Sequence, residues 1–204
     1  MLNITIFGAG GLATEVFDWI LFYSSHRVCS FYVDPPNPTR TSYPPIYSDL
    51  ALLNKDDSFI TAVGNPTVKE YFHMKALEYG MKPCDPLFLN CVIGNSSKNK
   101  IDSNTIICPH TTVTSNVTIG KGCTIHYNCT IGHDTVIGDF VTIMPGANIS
   151  GNVTLGNKVT VGCNTCIREK ITIADNVFIG MGAVVVKDIL EAGVYVGNPA
   201  RRLK

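Results

Sequence analysis

The stretch IGKGCTIHYNCTIGHDTVIGDFVTI, residues 119–143, decides the fold, because an aliphatic side chain returns at every sixth position. Stepping by six from Ile101 meets Ile107, Val113, Ile119, Ile125, Ile131, Ile137, Ile143, Ile149, Leu155, Val161, Ile167, Ile173, Ile179 and Val185. Ile, Leu and Val make up 51 of 204 residues, so fifteen such positions in a row have chance odds on the order of one in a billion. A second track of small or β-branched residues lies four positions after each, from Thr105 and Thr111 to Val177 and Ala183. Glycine often follows the aliphatic residue, as at Gly120, Gly132, Gly138, Gly156, Gly162 and Gly180, where tight corners are expected to favour it. A hexapeptide of this kind is a short strand plus a corner and cannot bury its apolar face alone. Three of them close one coil of 18 residues, and coils stacked about 4.8 Å apart bury a continuous aliphatic column. An ordinary sandwich would show a period of two between turns of varying length, so the pattern predicts a parallel β-helix of five coils.

Composition narrows the functional classes. Lys plus Arg and Asp plus Glu number 16 each, which leaves no basic excess for a nucleic-acid or anionic-membrane surface. No run of about 18 apolar residues is present to span a bilayer. The opening Met1-Leu2-Asn3-Ile4-Thr5-Ile6-Phe7 lacks a basic segment and reads as a strand, so a cytoplasmic protein with reduced cysteines is expected. Charged residues are only 16% against about 25% in an ordinary chain, which points to surface hidden in an oligomer. Cys163-x-x-Cys166 has no second pair for a structural zinc site, and the histidine spacing fits no metal, so none is expected.

Before the repeat, residues 1–85 read as a small α/β domain, followed by the β-helix over 86–190 and a tail over 191–204. A strand at 2–7 runs into Gly8-Ala9-Gly10-Gly11-Leu12-Ala13 and a helix over Thr14–Tyr23. A second strand, Val28–Val33, ends at Asp34, and a loop follows with Pro35, Pro36, Pro38, Pro44 and Pro45. A segment over Tyr47–Leu53, a strand over Ser58–Val63, Gly64-Asn65-Pro66 and a helix over Thr67–Tyr79 complete the domain. A Gly-x-Gly-x-x-Ala turn between strand and helix, with an acid about 20 residues on, suits phosphate at a helix N-terminus. It can also be a plain structural turn. NAD binding is disfavoured because fewer than 90 residues hold half of a dinucleotide fold, which leaves one nucleotide diphosphate as the preferred ligand.

The repeat, together with the ending Val196-Gly197-Asn198-Pro199-Ala200-Arg201-Arg202, resembles the hexapeptide-repeat acyltransferases. That resemblance implies a left-handed β-helix and a homotrimer with active sites between subunits. Joined to the α/β domain, the chain resembles the subgroup of nucleotide-sugar N-acetyltransferases, of the sialic-acid, bacillosamine and perosamine type. It implies acetyl-CoA-dependent acetylation of a nucleotide-linked amino sugar, a UDP- or dTDP-linked 4-amino-4,6-dideoxyhexose. The nucleotide-sugar would then meet Gly10, Gly11, Leu12, Asp34, Gly64 and Asn65, with Leu12 standing where several members have His. Acetyl-CoA would meet Thr142, Cys163, Met181, Lys187 and Arg201, with Arg202 also available for phosphates and Thr142 standing where the family often has His.

Five histidines compete for the role of base, namely His26, His73, His110, His126 and His133. From the residues alone the three in the repeat stay open. Only His133 is followed by an acid, Asp134, which can orient an imidazole and raise its basicity. The resemblance makes His133 the general base, Asp134 its partner, and Gly151, one coil on, the donor to the oxyanion. His126 is read as structural or substrate-adjacent. Sugar O-acetylation, a serine acetyltransferase-like activity and a non-catalytic β-helix scaffold are the competing functions.

Overall fold

Near-continuous apolar strands are buried on both faces of a parallel sheet, and the first strand of this chain is of that kind. In a computed structural model that describes residues 1–34, 44–94 and 97–203, the chain divides into two units, Met1–Asp85 and Pro86–Lys204. In the first unit β1 (Asn3–Phe7) is central, with Ile4, Thr5, Ile6 and Phe7 fully buried. The order of elements is β1, α1 (Gly11–Tyr23), β2 (Arg27–Tyr32), β3 (Ile46–Tyr47), a 3-10 turn at Leu50–Leu52, β4 (Ser58–Thr61), α2 (Pro66–Tyr79) and β5 (Lys82–Pro83). The strands pair in parallel in the order β3-β2-β1-β4-β5. Phe7 packs against Tyr32, Phe59 and Phe72, with ring centroids 4.9, 5.7 and 6.1 Å away. Two differences from the sequence reading matter. Gly11–Ala13 take up the first turn of α1, so Gly10 is its N-cap and the helix opens three residues earlier than expected. Of the proline loop, Pro35, Pro36 and Pro38 lie outside the described residues.

The second unit is a parallel β-helix of mostly two-residue strands in three sheets. Registers step by 18, as in Thr124↔Thr142↔Thr160 and Ile125↔Ile143↔Val161. The every-sixth aliphatic residues from Ile107 to Val185 form the interior, each at most 2% exposed. Each fully buried Ile contributes about 1.5–3 kcal/mol of transfer free energy, so the column dominates this unit. The second track explains how polar residues enter that core. Thr105, Thr111, Thr135 and Thr165 hydroxyls donate to carbonyls 15 residues on, at Gly120, His126, Ser150 and Gly180. Cys123 and Cys129 fill the same slot, their thiols 3.1 and 3.2 Å from the Gly138 and Met144 carbonyls. Burial pushes the Cys129 thiol up to about 11, so it is an inert core group. None of the eight cysteines is joined in a disulfide.

The corner glycines need a different explanation from the one the sequence suggested. Positive φ falls at every sixth residue from Asn104 to Gly182, three positions after each aliphatic residue. Asn104, Asn116, Asn128, Asn152, Asn164 and Asn176 occupy six of these corners, because Asn tolerates the left-handed region. Gly120, Gly132, Gly138, Gly156, Gly162 and Gly180 are not among the positive-φ residues. They are small because the next coil presses on them. A Cβ on Gly162 would stand 2.5 Å from Met181 N and 2.7 Å from Gly180 C.

The coil also begins before the regular repeat. Leu87–Phe88 and Val92–Ile93 pair with Ile106–Ile107 and Thr112–Val113. At the other end Gly193–Val196 extends one sheet beside Val177–Ile179, and Arg201–Arg202 returns antiparallel against Tyr195–Val196.

These two kinds of corner separate by mutation. Gly162→Ala should cost about 1–3 kcal/mol, since only backbone faces the new methyl. Asn128→Gly, at φ 57°, should change stability by a few tenths at most. Urea midpoints of the two variants measure both.

Candidate active site

Along an extended strand neighbouring side chains point to opposite faces, so two consecutive residues cannot normally meet. His133 and Asp134 meet because the chain turns between them, with Asp134 at φ 59°. His133 Nδ1 lies 2.7 Å from Asp134 Oδ2. The corner is anchored on both sides, by Asp134 N donating to Ser115 O at 3.0 Å and Asn152 N donating to His133 O at 2.7 Å. Asn116, 18 residues back, donates its amide Nδ2–H to Asp134 Oδ1. The hydrogen bonds from Asn116 and then from His133 hold the Asp134 carboxyl below the usual aspartate range. With Nδ1 facing a carboxylate, Nε2 is the nitrogen left for a substrate.

The imidazole lies across the next coil at Gly151. A Cβ there would stand 2.7 Å from His133 Nε2, so the ring would have to move to admit a side chain beneath it. Among the described residues the Gly151 N–H forms no backbone hydrogen bond, although its carbonyl accepts from Lys170 N at 3.1 Å. The geometry therefore places an oriented imidazole nitrogen over the Gly151 backbone.

The other histidines have different surroundings. His126 is 9% exposed and packs edge-on against Tyr127, in the slot that glycine fills elsewhere. His110 is itself a corner residue at φ 60°. His73 is buried against Phe59, and His26 Nδ1 accepts from Leu2 N at 3.3 Å.

The residues expected at acetyl-CoA fall on more than one edge of the prism. Lys187 shares the corner column of His133 and Gly151, stepping by 18 through residue 169. Cys163 and Met181 share another, where Gly182 N donates to Cys163 O at 2.8 Å. Met181 is largely exposed and Cys163 half-buried. Lys187 and Arg201 line a concavity of about 300 Å³ with Asp188, Tyr195 and Arg202. Arg202 is engaged there, donating to Glu191 Oε2 at 2.6 Å and to Ala192 O at 3.1 Å. Thr142 is fully buried, so its side chain does not reach the surface.

In the first unit the expected ligand residues lie along the carboxyl edge of the sheet. Gly10, Gly11 and Gly64 leave open space where a Cβ would stand, and the N-cap of α1, Gly10, has no side chain of its own to cap the helix. Leu12 is half-buried. Gly8 is the glycine that the turn demands, at φ 127° and with a would-be Cβ 2.6 Å from Ala62 O. Asn65 is the N-cap of α2, its Oδ1 accepting from Thr67 N and Val68 N at 3.0 and 3.2 Å. Asp34 is held through Oδ2, which accepts from Lys75 Nζ and from Tyr71 OH at 2.9 Å. Those two bonds, Lys75 first, lower its pKa. Tyr71 and Lys75 carry no motif and were not expected. Asn116 was also missed, though a step of 18 back from Asp134 lands on it.

Residues 100–133 and 134–169 match the family described as bacterial transferase hexapeptide, six repeats, and residues 3–76 match the PglD N-terminal domain. The two matches are to a repeat family and a domain family that lie in tandem along the chain, the order in which the two units occur. Among solved structures, WeeI from Acinetobacter baumannii is 29% identical, with all of both chains covered and a TM-score of 0.87. The acetyltransferase domain of PglB from Neisseria gonorrhoeae, in complex with acetyl coenzyme A, is 24% identical over 98% of both chains, with a TM-score of 0.85. GDP-perosamine N-acetyltransferase from Caulobacter crescentus, in complex with CoA and GDP-perosamine, is 20% identical over 99% of this chain and 97% of its own, with a TM-score of 0.89. The coil is accordingly a left-handed parallel β-helix.

The Asp34 contacts are testable by titration. Lys75→Met should move the Asp34 midpoint up toward the ordinary value of about 3.9. A lowered carboxyl stabilises the fold above its unfolded pKa, and that contribution fades as pH falls through the folded midpoint. The variant should therefore lose a small stabilisation above about pH 4 and be less pH-dependent below it. Carboxyl-carbon NMR with urea titrations at pH 3 and 6 reads both.

Proposed function

We propose that this transferase moves the acetyl group of acetyl-CoA onto the amine of a nucleotide-linked amino sugar, with a UDP- or dTDP-linked 4-amino-4,6-dideoxyhexose as the class of substrate. The observation that carries the chemistry is the His133 corner, with Nδ1 on Asp134 and Nε2 over Gly151. The solved structures that hold acetyl-CoA or GDP-perosamine support the substrate pair.

In this reading the sugar amine attacks the thioester carbonyl while His133 Nε2 takes its proton. Asp134 stabilises the imidazolium through Nδ1–H. The oxyanion forms against the Gly151 N–H, then collapses to break the C–S bond. The thiolate leaves with the proton from His133, giving the amide and free CoA. No enzyme nucleophile and no metal take part.

The sugar nucleotide sits on the first unit. Its diphosphate meets the turn at Gly10, Gly11 and Gly64 and the N-terminus of α1. Asp34 Oδ1, the oxygen that neither Lys75 nor Tyr71 uses, accepts from the nucleoside. Acetyl-CoA runs along Cys163 and Met181, with Lys187 and Arg201 at its phosphates. Because His133 and Cys163 belong to different corners of one prism, a shared site needs the neighbouring subunit of a homotrimer. A cytoplasmic location, where thiols stay reduced, fits eight cysteines outside any disulfide.

Release of CoA with a panel of UDP-, dTDP- and GDP-linked amino sugars tests the activity. Turnover of a uridine- or thymidine-linked 4-amino sugar is expected, and its absence with every amino sugar contradicts the reading, whereas turnover of hydroxyl sugars or serine favours the other acetyl transfers. His133→Ala should lower kcat by about 10²–10⁴-fold with acetyl-CoA affinity kept. Sedimentation should give one species of about 66 kDa, three times 22.1 kDa. A monomer at micromolar concentration would remove the shared site.

A further inference from the structure

Asn116 occupies a corner at φ 60°, a position where Asn is common in this coil for backbone reasons alone. Its side chain behaves differently from those of four other corner Asn residues. Among the described residues, the side chains of Asn128, Asn152, Asn164 and Asn176 form no hydrogen bond, whereas that of Asn116 donates to Asp134 Oδ1. The two oxygens of Asp134 are thereby divided, Oδ1 to Asn116 and Oδ2 to His133 Nδ1. Both members of the His–Asp pair are open to water, with side chains 63% and 42% exposed. A carboxylate so exposed turns freely about its last torsion and exchanges the imidazole for solvent, unless something fixes it.

We propose that Asn116 is a positioning residue for acetyl transfer, fixing the Asp134 carboxylate so that Oδ2 holds His133 in the tautomer with its proton on Nδ1. The proposal rests on the reading of His133 as general base. It adds a third member to the pair, drawn from the preceding coil, and it gives the exposed corner the fixed geometry that a buried triad obtains from its surroundings. The lowered Asp134 pKa, to which Asn116 contributes most, agrees with this.

Asn116→Gly separates the amide from the backbone, because glycine keeps φ near 60° without strain. Asn116→Asp keeps both the shape and the corner but cannot donate to a carboxylate. Two quantities are read in folded protein. The first is kcat with the KM for acetyl-CoA, expected to show about a tenfold loss in kcat and an unchanged KM, the scale on which orienting partners act. The second is the nitrogen-15 spectrum of the neutral His133 ring, expected to be mainly the Nδ1–H tautomer in the parent protein. The variants should gain Nε2–H. Should the glycine variant fail to fold, Asn116→Asp carries both readings. An unchanged tautomer in the folded variants overturns the proposal and leaves Asn116 as a corner residue. A shifted tautomer with unchanged kcat supports the positioning and removes His133 from the chemistry, so the two readings fail separately.

Discussion

The backbone hydrogen bonds that tie each residue to its counterpart 18 positions later are the constraint on which the second unit depends. A single coil cannot bury Ile125 or Ile131. Stacked in register, the same residues form a column that excludes water. The register leaves no slack, since a shift of one residue would turn the aliphatic side chains out of the prism and bring corner Asn and Lys in. It also forces small residues where one coil presses on the next, at Gly162 beneath Met181 and Gly151 beneath His133.

The site is a by-product of that lattice. His133 needs no pocket to be oriented, because the left-handed corner at Asp134 bends the carboxylate back onto it. Gly151 gives the ring a floor for the same reason that other coil positions are glycine. Polar groups at three successive coils, Asn116, Asp134 with His133, and Gly151, thus line one edge at the spacing of the sheet. In the first unit the corresponding order comes from a parallel sheet whose carboxyl edge gathers the Gly8–Gly11 turn, Asp34 and the N-terminus of α2.

The period of six made the β-helix legible from sequence, because each hexapeptide repeats the same local task. The partial first coil was not legible, since Ile93 and Ile101 are eight residues apart and the step of six passes over Leu87 and Val92. The glycines were seen and misexplained. The sequence shows which residues follow Ile, but not that the corner falls three positions on or that the next coil lies under 3 Å from a would-be Cβ. Asp134 beside His133 could be read as a pair because the two are adjacent. Tyr71 and Lys75 could not be linked to Asp34, since helix α2 carries them there from 37 and 41 residues away.

The central claim is that His133 Nε2 removes the proton of the attacking amine. A crystal structure with CoA and an amino-sugar nucleotide bound tests it most directly. The account requires the sugar amine within about 2.6–3.2 Å of His133 Nε2 and the thiol end of CoA beside the Gly151 N–H. An amine lying instead against His126 or His110, with His133 turned to solvent, would contradict it.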